Sequence, residues 1–205
     1  MAIDVTPDMV DPAHAHIPDT AAEGMTILLN GTSSSGKTSI ARELLNLLDG
    51  TWFHMPVDAF HAMRSKREIA DKDLQVEIDR TVKGFHRAVA GMAAAGNNVV
   101  VDYPLSRRWR LLDLLDVLVP ENTVLVGVRC PLAELERREI ERGDRQRGLA
   151  ALQYHEVHSH ELHDLDVDTS VHSPRECALQ IRDALPGLSR PTAFETLRRT
   201  MRKPA

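Results

Sequence analysis

The chain has 205 residues, which is enough for one domain with a sizeable core. Its formal net charge of −5 argues against a general nucleic-acid-binding protein, because such a protein needs a basic face. The sequence contains no run of about 18 apolar residues, so we expect no membrane span and no membrane partner.

The N-terminal segment 1–22 contains Asp, His and Pro, but it has neither the basic start nor the apolar core of a signal peptide. We expect it to be a mobile tail before a domain at 23–187. The two cysteines, Cys130 and Cys177, lie in apolar segments; a disulfide between them is one alternative, and a reducing cytoplasm is the simpler setting. Residues 188–205 are expected to be an extension beyond that domain.

The most informative stretch is GTSSSGKT at 31–38, which directly follows an apolar run at 25–30. It fits the pattern G-x-x-x-x-G-K-[ST] of a phosphate-binding loop. Apolar residues then recur at helical spacing, at Ile40, Leu44, Leu47 and Leu48. The order strand, Gly-rich loop and helix is the context that this loop requires, and it favours a phosphate site over an accidental Ser/Gly turn.

Such a loop binds the phosphates of a nucleotide such as ATP through backbone N–H groups and a helix N-terminus. Lys37 is expected to reach the β- and γ-phosphates, and Thr38 to offer its hydroxyl to Mg²⁺. The predicted nucleotide-binding residues of the loop are Gly31, Ser33, Ser34, Ser35, Gly36, Lys37, Thr38 and Ser39.

Strand and helix patterns then alternate along the rest of the chain. The predicted strands are 51–58, 97–102, 123–130 and 164–170. The helical patterns cover 74–92, 106–118, 131–142 and 173–185, with Ser106 and Ser173 as candidate N-caps. This alternation predicts an α/β protein, a three-layer α/β/α fold with a mainly parallel five-stranded sheet.

Two acidic residues follow apolar strands at the carboxyl edge of this sheet, where ligands bind in such folds. Asp58 could accept the proton of a substrate hydroxyl, or it could cap the helix that follows. Asp102 could hold Mg²⁺ through water, or bind a substrate hydroxyl, or it could be a turn or cap residue.

The segment RREIERGDRQRG at 137–148 predicts a helical lid over about 137–160. Three arginines recur there at spacings of four and three, namely Arg138, Arg142 and Arg145. Phosphoryl transfer needs positive charge from outside the phosphate loop, and these arginines could supply it. The alternative is a solvated helix face on which Glu139 and Glu141 pair with the arginines.

Four histidines cluster at His155, His158, His160 and His163. Their spacing matches no metal signature, so we do not expect a metal site there. Trp109 and Phe85 are expected to lie in the core.

Several segments resemble, in order and spacing, the chloramphenicol phosphotransferase-like family of P-loop kinases, over about residues 25–185. They are GTSSSGKTSIARELL, VDAFHAM, VVVD, VGVRC, REIERGDR and HDLDVDTSVHSPRECA. The combination of the segments VRC, RGDR and VDT with EC is much more specific for this family than the phosphate loop alone. The resemblance implies transfer of the γ-phosphate of ATP to a hydroxyl of a small molecule, which for chloramphenicol inactivates the antibiotic.

The resemblance also implies roles for single residues. Asp58 would be the catalytic base, and Arg142 and Arg145, with Arg138 upstream, would belong to the lid. The loop with Thr169 and Ser170 would pass near the adenine.

The segments that face the acceptor depart from the family pattern. Phe60, His61 and Arg64 stand where the family has a more apolar run, and Tyr103 stands where it has a second acid. The predicted substrate-facing residues are Asp58, Phe60, Met63, Asp102 and Tyr103.

Three functions therefore stay open. The leading one is a small-molecule kinase that modifies an antibiotic; the others are a metabolic kinase for a sugar, nucleoside or similar compound, and a regulatory ATPase. A GTPase-type switch would need an N-K-x-D motif, and the sequence has none. A homo-oligomer is compatible with the sequence.

Overall fold

The computed structural model describes residues 22–65, 67–142 and 148–202. The strands are β1 (Thr26–Asn30), β2 (Trp52–Pro56), β3 (Asn98–Asp102), β4 (Thr123–Arg129) and β5 (Leu165–Asp168). The helices are α1 (Lys37–Leu47), α2 (Val57–Ala62), α3 (Asp71–Ala94), α4 (Arg108–Val117), α5 (Leu132–Arg142), α6 (Leu149–Tyr154), α7 (Pro174–Ala184) and α8 (Ala193–Met201). The predicted tail at 1–22 lies outside the described residues, except for its last residue.

Within the described ranges the five strands form one parallel sheet in the order β2-β3-β1-β4-β5. The predicted parallel five-stranded sheet is therefore confirmed. Strand β1 is central, and Leu29 pairs with Asp102 on one side and Val126 on the other. The loop after β1 thus lies in the middle of the carboxyl edge, beside the end of β3.

Successive side chains of the central strands point to opposite faces of the sheet, as the two-residue period of a strand requires, and each face packs in its own hydrophobic core. Leu28 faces the core formed with α3 and α4, which contains Phe85 and to which Trp109 is peripheral. Ile27 and Leu29 face the other core, formed with α1 and α7. The three-layer α/β/α arrangement and the core positions of Phe85 and Trp109 agree with the sequence analysis.

Helix α8 lies in the segment 188–205, which the sequence analysis set apart as an extension. Its Phe194 is fully buried and Leu197 nearly so, both in the core that contains Phe85. A capping box of Thr192 and Glu195 starts the helix. Residues 193–201 therefore contribute apolar side chains to the same core as α3 and α4.

Two predicted boundaries differ in the structure. Strand β2 ends at Pro56, which is the N-cap of α2, a position where the fixed φ of proline is tolerated. Asp58 therefore lies in the first turn of α2 and not at a strand end. Helix α4 begins at Arg108, and Ser106 does not cap it; its hydroxyl accepts a hydrogen bond from Arg110. The capping box at Ser173 is confirmed. None of the helices within the described ranges combines the length and apolarity needed to cross a membrane.

Candidate active site

The loop between β1 and α1 has the backbone of a phosphate cradle. Ser34 (φ 61°) and Gly36 (φ 89°) are left-handed, and Gly36 caps α1. A Cβ on Gly31 would lie 2.6 Å from the hydroxyl of Ser35 and 2.7 Å from the carbonyl oxygen of Val128, so only glycine fits there. The loop thus leads directly into the N-terminus of an 11-residue helix, which attracts anions.

The hydroxyls of Ser33, Ser34 and Ser35 are buried without hydrogen-bond partners in the described structure. The backbone N–H of Ser33 donates to Oε1 of Gln153 on α6, at 2.8 Å. Buried polar groups are nearly always satisfied in proteins, so the hydroxyls of this loop fit a ligand rich in acceptors. The phosphates of ATP have that chemistry, and these residues fit it.

Lys37, Thr38 and Asp102 meet at the start of α1. The hydroxyl of Thr38 donates to Oδ2 of Asp102 at 2.5 Å. Nζ of Lys37 donates to the carbonyl oxygen of Thr32 at 2.7 Å and lies 3.9 Å from Oδ1 of Asp102. The sequence placed these residues at one sheet edge, and the structure brings them into contact.

The carboxyl of Asp102 is held ionised. Burial by itself would raise its pKa, but the neighbouring His54, Lys37 and Thr38 outweigh burial and keep the pKa below its ordinary value. A carboxylate beside a threonine hydroxyl is a donor pair that Mg²⁺ accepts. Thr38 and Asp102 are therefore suited to hold the metal, directly or through water.

These residues line a cavity of about 570 Å³. Its floor is the phosphate loop, at Ser33, Ser34, Gly36, Lys37, Thr38 and Ser39. One side belongs to α5 and α6, with Arg138, Glu141, Arg142, Leu149 and Gln153. The other side belongs to α2, α3 and the β3–α4 region, with Val57, Asp58, His61, Ile78, Val82, Asp102, Tyr103, Pro104 and Arg110. Phosphate-binding, acidic and basic side chains therefore face one space.

Other predicted site residues lie elsewhere. Phe60 packs edge-on against Phe85, with ring centroids 5.0 Å apart, and Met63 is 69% exposed; the cavity lining includes neither. Arg145 lies outside the described residues. Ser170 is exposed, and its hydroxyl bonds to Asp168.

Thr169 connects α5 to the phosphate loop. Its hydroxyl donates to the carbonyl oxygen of Ser35 at 2.9 Å. The guanidinium of Arg138 donates to the hydroxyl and the carbonyl oxygen of Thr169, at 3.0 and 2.7 Å. Thr169 lies outside the cavity lining and fixes the side chain of Arg138, which lies within it.

The arginines of α5 differ in whether they face solvent or the cavity. Arg137 forms exposed ion pairs with Glu134 and Glu141, whereas Arg142 lines the cavity. Glu139 is buried, and its carboxylate accepts the backbone N–H groups of 148 and 150 at 3.0 and 2.7 Å. Glu139 therefore joins α5 to α6 instead of balancing a solvated arginine face.

Nine residues of the cavity lining were not predicted as site residues, and four of them are polar, namely His61, Arg110, Glu141 and Gln153. His61 had a signal, because its segment departs from the family pattern. Arg110 and Gln153 had none, since their place depends on how α4 and α6 pack.

The histidine-rich segment forms a cluster behind the end of β1. The ring of His163 lies 5.3 Å from that of His158 and 4.7 Å from that of His160. Asn30 Nδ2 donates to the carbonyl oxygen of Val157 at 2.6 Å and lies 3.1 Å from Nε2 of His160. Across the three described ranges, no group of three or more His, Cys, Asp or Glu residues has an arrangement that could hold a metal ion.

Buried histidines predict a loss of stability in mild acid. Burial lowers the pKa of His86 and of His158 to about 4 and that of His163 to about 3. The unfolded chain, with a histidine pKa near 6.5, binds these protons first, so stability is complete above about pH 6.5 and falls towards pH 4. Each histidine contributes at most about 1.4 kcal/mol per pH unit.

Urea unfolding at pH 7, 6 and 5 measures this effect. We expect the free energy of unfolding to fall by about 2–4 kcal/mol between pH 7 and pH 5 after allowance for partial exposure. The His163→Gln variant should show a shallower slope than the wild type. A free energy that stays constant over this interval would contradict the prediction.

Comparison with known proteins agrees with this geometry. The model of the family described as "Chloramphenicol phosphotransferase-like protein" matches residues 24–186. The Mycobacterium tuberculosis protein named "Putative O-phosphotransferase Rv2636" is 30% identical over 200 residues, which cover 86% of this chain and 89% of that protein. The resemblance noted in the sequence is thereby confirmed.

Two solved structures share the fold. The APS kinase CysC of Mycobacterium tuberculosis has a TM-score of 0.60 at 18% identity, over 80% of this chain and 98% of that one. The tunicamycin resistance protein of Deinococcus radiodurans has a TM-score of 0.59 at 19% identity, over 81% and 97%. At these identities the likeness concerns the fold. The family model matches most of the chain, and the phosphate loop and the sheet order agree with it. The chain therefore belongs to the chloramphenicol phosphotransferase-like family of P-loop kinases.

Proposed function

We propose that this protein transfers the γ-phosphoryl group of ATP to a hydroxyl group of a small molecule, with Mg²⁺ as the metal. One observation carries the proposal. A single cavity is lined both by the phosphate-binding pair Lys37 and Thr38, next to Asp102, and by the carboxylate of Asp58. Membership of an O-phosphotransferase family supports it.

In this proposal the loop 31–38 and Lys37 bind the phosphates, and Thr38 and Asp102 hold Mg²⁺. Bound there, Mg²⁺ neutralises charge on the phosphate oxygens. Arg138 and Arg142 supply further positive charge from the opposite wall. Arg138 is anchored by Glu134 and Thr169, so it is already positioned towards the loop.

Asp58 acts as the base. The acceptor hydroxyl oxygen attacks the γ-phosphorus, the bond from this phosphorus to the β-phosphate oxygen breaks, and the hydroxyl proton passes to the carboxylate of Asp58. ADP and the phosphorylated acceptor result. Because α2 follows β2 directly, its first turn presents Asp58 to the cavity beside the phosphate loop.

The acceptor is an antibiotic or an endogenous hydroxyl compound. The acceptor side combines the apolar Val57, Ile78 and Val82 with the polar Asp58 and His61, which suits a small molecule with a carbon skeleton and a reactive hydroxyl. A regulatory ATPase would not need an acceptor side in this cavity. The free, buried cysteines Cys130 and Cys177 support a cytoplasmic setting.

A thermal-shift and transfer assay tests the proposed function. Mg²⁺–ATP at about 100 times its Kd should stabilise the protein by about 2.7 kcal/mol. Radiolabel from γ-labelled ATP should pass to at least one member of a panel of hydroxylated antibiotics, sugars and nucleosides. Absence of both nucleotide stabilisation and transfer would overturn the proposal.

The lid arginine predicts a particular kinetic change. Replacing Arg142 by methionine should lower kcat by about 10²-fold and change the KM for ATP much less, because a lid charge acts most strongly as charge moves in the transition state. Arg137→Met, in the exposed ion pairs of the same helix, is the matched control and should stay near wild type. A pure KM effect would limit Arg142 to nucleotide binding.

A further inference from the structure

We propose that the acceptor carries an anionic group, a carboxylate or a phosphate or sulfate ester, and that Arg110 binds this group on the acceptor side of the cavity. The inference rests on the proposed kinase function and narrows its substrate class.

Arg110 is held in place in the cavity wall. It lies in the first turn of α4, is half-buried, and donates to the hydroxyl of Ser106 at 2.9 Å and to the carbonyl oxygen of Pro104 at 3.4 Å. Its guanidinium carbon lies 5.7 Å from the ring centroid of Tyr103 and 5.9 Å from that of Trp109. Two aromatic rings and a turn thus fix the position of the Arg110 guanidinium, so this group is preorganised for binding an anion.

No carboxylate of the described ranges forms an ion pair with Arg110, although a nearby arginine is paired. Arg87, on α3, has a two-point contact with Asp113 at 2.5 and 3.0 Å. Nε of Arg110, in contrast, is buried without a hydrogen-bond partner in the described structure. A partly buried cation that lacks its counter-ion is costly, and an anionic ligand would supply that counter-ion.

A second unsatisfied group lies beside Arg110. Tyr103 is fully buried and lines the cavity, and its hydroxyl has no partner in the described structure. NH1 of Arg64, outside the cavity lining, has none either. Burial and the charges of Arg64 and Arg110 lower the pKa of His61, and Asp58 opposes them only in part. This side of the cavity therefore combines the carboxylates of Asp58 and Asp102 with the cation of Arg110 and with the Tyr103 hydroxyl, which has no partner in the described structure.

The sheet order assigns Arg110 to the acceptor and not to the nucleotide. Arg110 follows β3, which lies between β1 and β2, so it stands on the same side of the phosphate loop as Asp58. The lid arginines follow β4, on the opposite side. An anion at Arg110 would thus belong to the molecule that presents its hydroxyl to Asp58.

An anion titration with the phosphate loop filled tests the site directly. The protein is saturated with Mg²⁺ and the non-hydrolysable analogue AMP-PNP, and inorganic sulfate is titrated by calorimetry at constant ionic strength. We expect one sulfate site, weakened at least about 10-fold in Arg110→Met, since a charged hydrogen bond is worth about 1.5–3 kcal/mol. Arg108→Met, exposed on the same helix and outside the cavity lining, is the matched control.

Paired acceptors test the same inference in the reaction. Hydroxy acids are compared with their methyl esters as phosphoryl acceptors. The acid should have at least about 10-fold higher kcat/KM, and Arg110→Met should abolish this preference through the KM of the acid. Melting temperatures show whether each variant is folded, and Arg110→Lys should restore part of the preference.

The outcomes separate this inference from the proposed function. Nucleotide binding with equal or better transfer to the neutral esters would overturn the anionic acceptor and leave the kinase function standing. So would sulfate binding that is the same in the wild type and Arg110→Met. A protein that does not bind Mg²⁺–AMP-PNP would overturn the kinase function itself. If no compound of the panel accepts phosphate, the sulfate titration alone decides.

Discussion

Replacing Lys37 by alanine should lower kcat by at least about 10²–10³-fold, the cost of removing one preorganised charge from a phosphoryl-transfer site. Its Nζ lies 3.9 Å from Asp102 in a buried position, and it is the cation of the phosphate loop. No backbone group can replace a charge that follows the γ-phosphoryl group during transfer. The measurements are kcat, ATP affinity and melting temperature with a confirmed acceptor.

The stability of this variant needs its own control, because the Lys37 side chain is 8% exposed. Its loss removes a cation that lies 3.9 Å from the carboxylate of Asp102, so some loss of melting temperature is expected. Lys37→Met keeps the apolar stem and should fold better than the alanine variant, with the same low turnover. Near-normal turnover in a folded Lys37→Met protein would show that loop 31–38 does not bind the transferred phosphate.

Replacing Asp58 by asparagine should lower kcat by about 10²–10⁴-fold, the usual contribution of a general base. The asparagine keeps the shape of the side chain but cannot accept the hydroxyl proton. ATP affinity should change little, since the cradle consists of residues 31–38. The measurements are again kcat, nucleotide affinity and melting temperature.

The structure also separates this role from helix capping. The N-cap of α2 is Pro56, so Asp58 does not cap this helix, and the charge that Asp58→Asn removes from the helix N-terminus is worth about 0.3–1 kcal/mol. Asp71→Asn, in the first turn of α3 and outside the cavity lining, controls for that charge effect. Intact kcat in Asp58→Asn would remove Asp58 from catalysis and leave Asp102 as the next candidate.

The phosphate loop shows how much a local motif can predict. Gly31, Gly36, Lys37 and Thr38 stand at fixed spacing, and the backbone they require forms within a few residues of chain. Three strands could be found for a similar reason: β1, β3 and β4 are short apolar runs buried on both faces, and alternation with helices dictates parallel pairing. Asp102 could be placed beside the loop because parallel strands end at the same edge.

The boundary of the site was less predictable. Phe60 and Met63 were predicted to face the substrate because of their place in the sequence after Asp58. In the structure, Phe60 of α2 packs against Phe85, and His61 lines the cavity. A helix turns by about 100° per residue, so a strand-like reading of 51–58 cannot give the direction of the side chains that follow. The contact between Thr169 and Arg138 joins residues 31 positions apart, which periodicity in the sequence cannot show.

The sequence by itself determined the sheet, the phosphate loop and the convergence of Asp58 and Asp102, because these depend on periodicity and on motifs of fixed spacing. Only the tertiary structure decided that Arg110 and Gln153 face the cavity, that Glu139 is buried, and that Phe194 completes a core. These features depend on how distant helices pack on the sheet, and packing is set by the shapes of many side chains at once. The acceptor side consists mostly of such residues, which is why its chemistry could be read only from the fold.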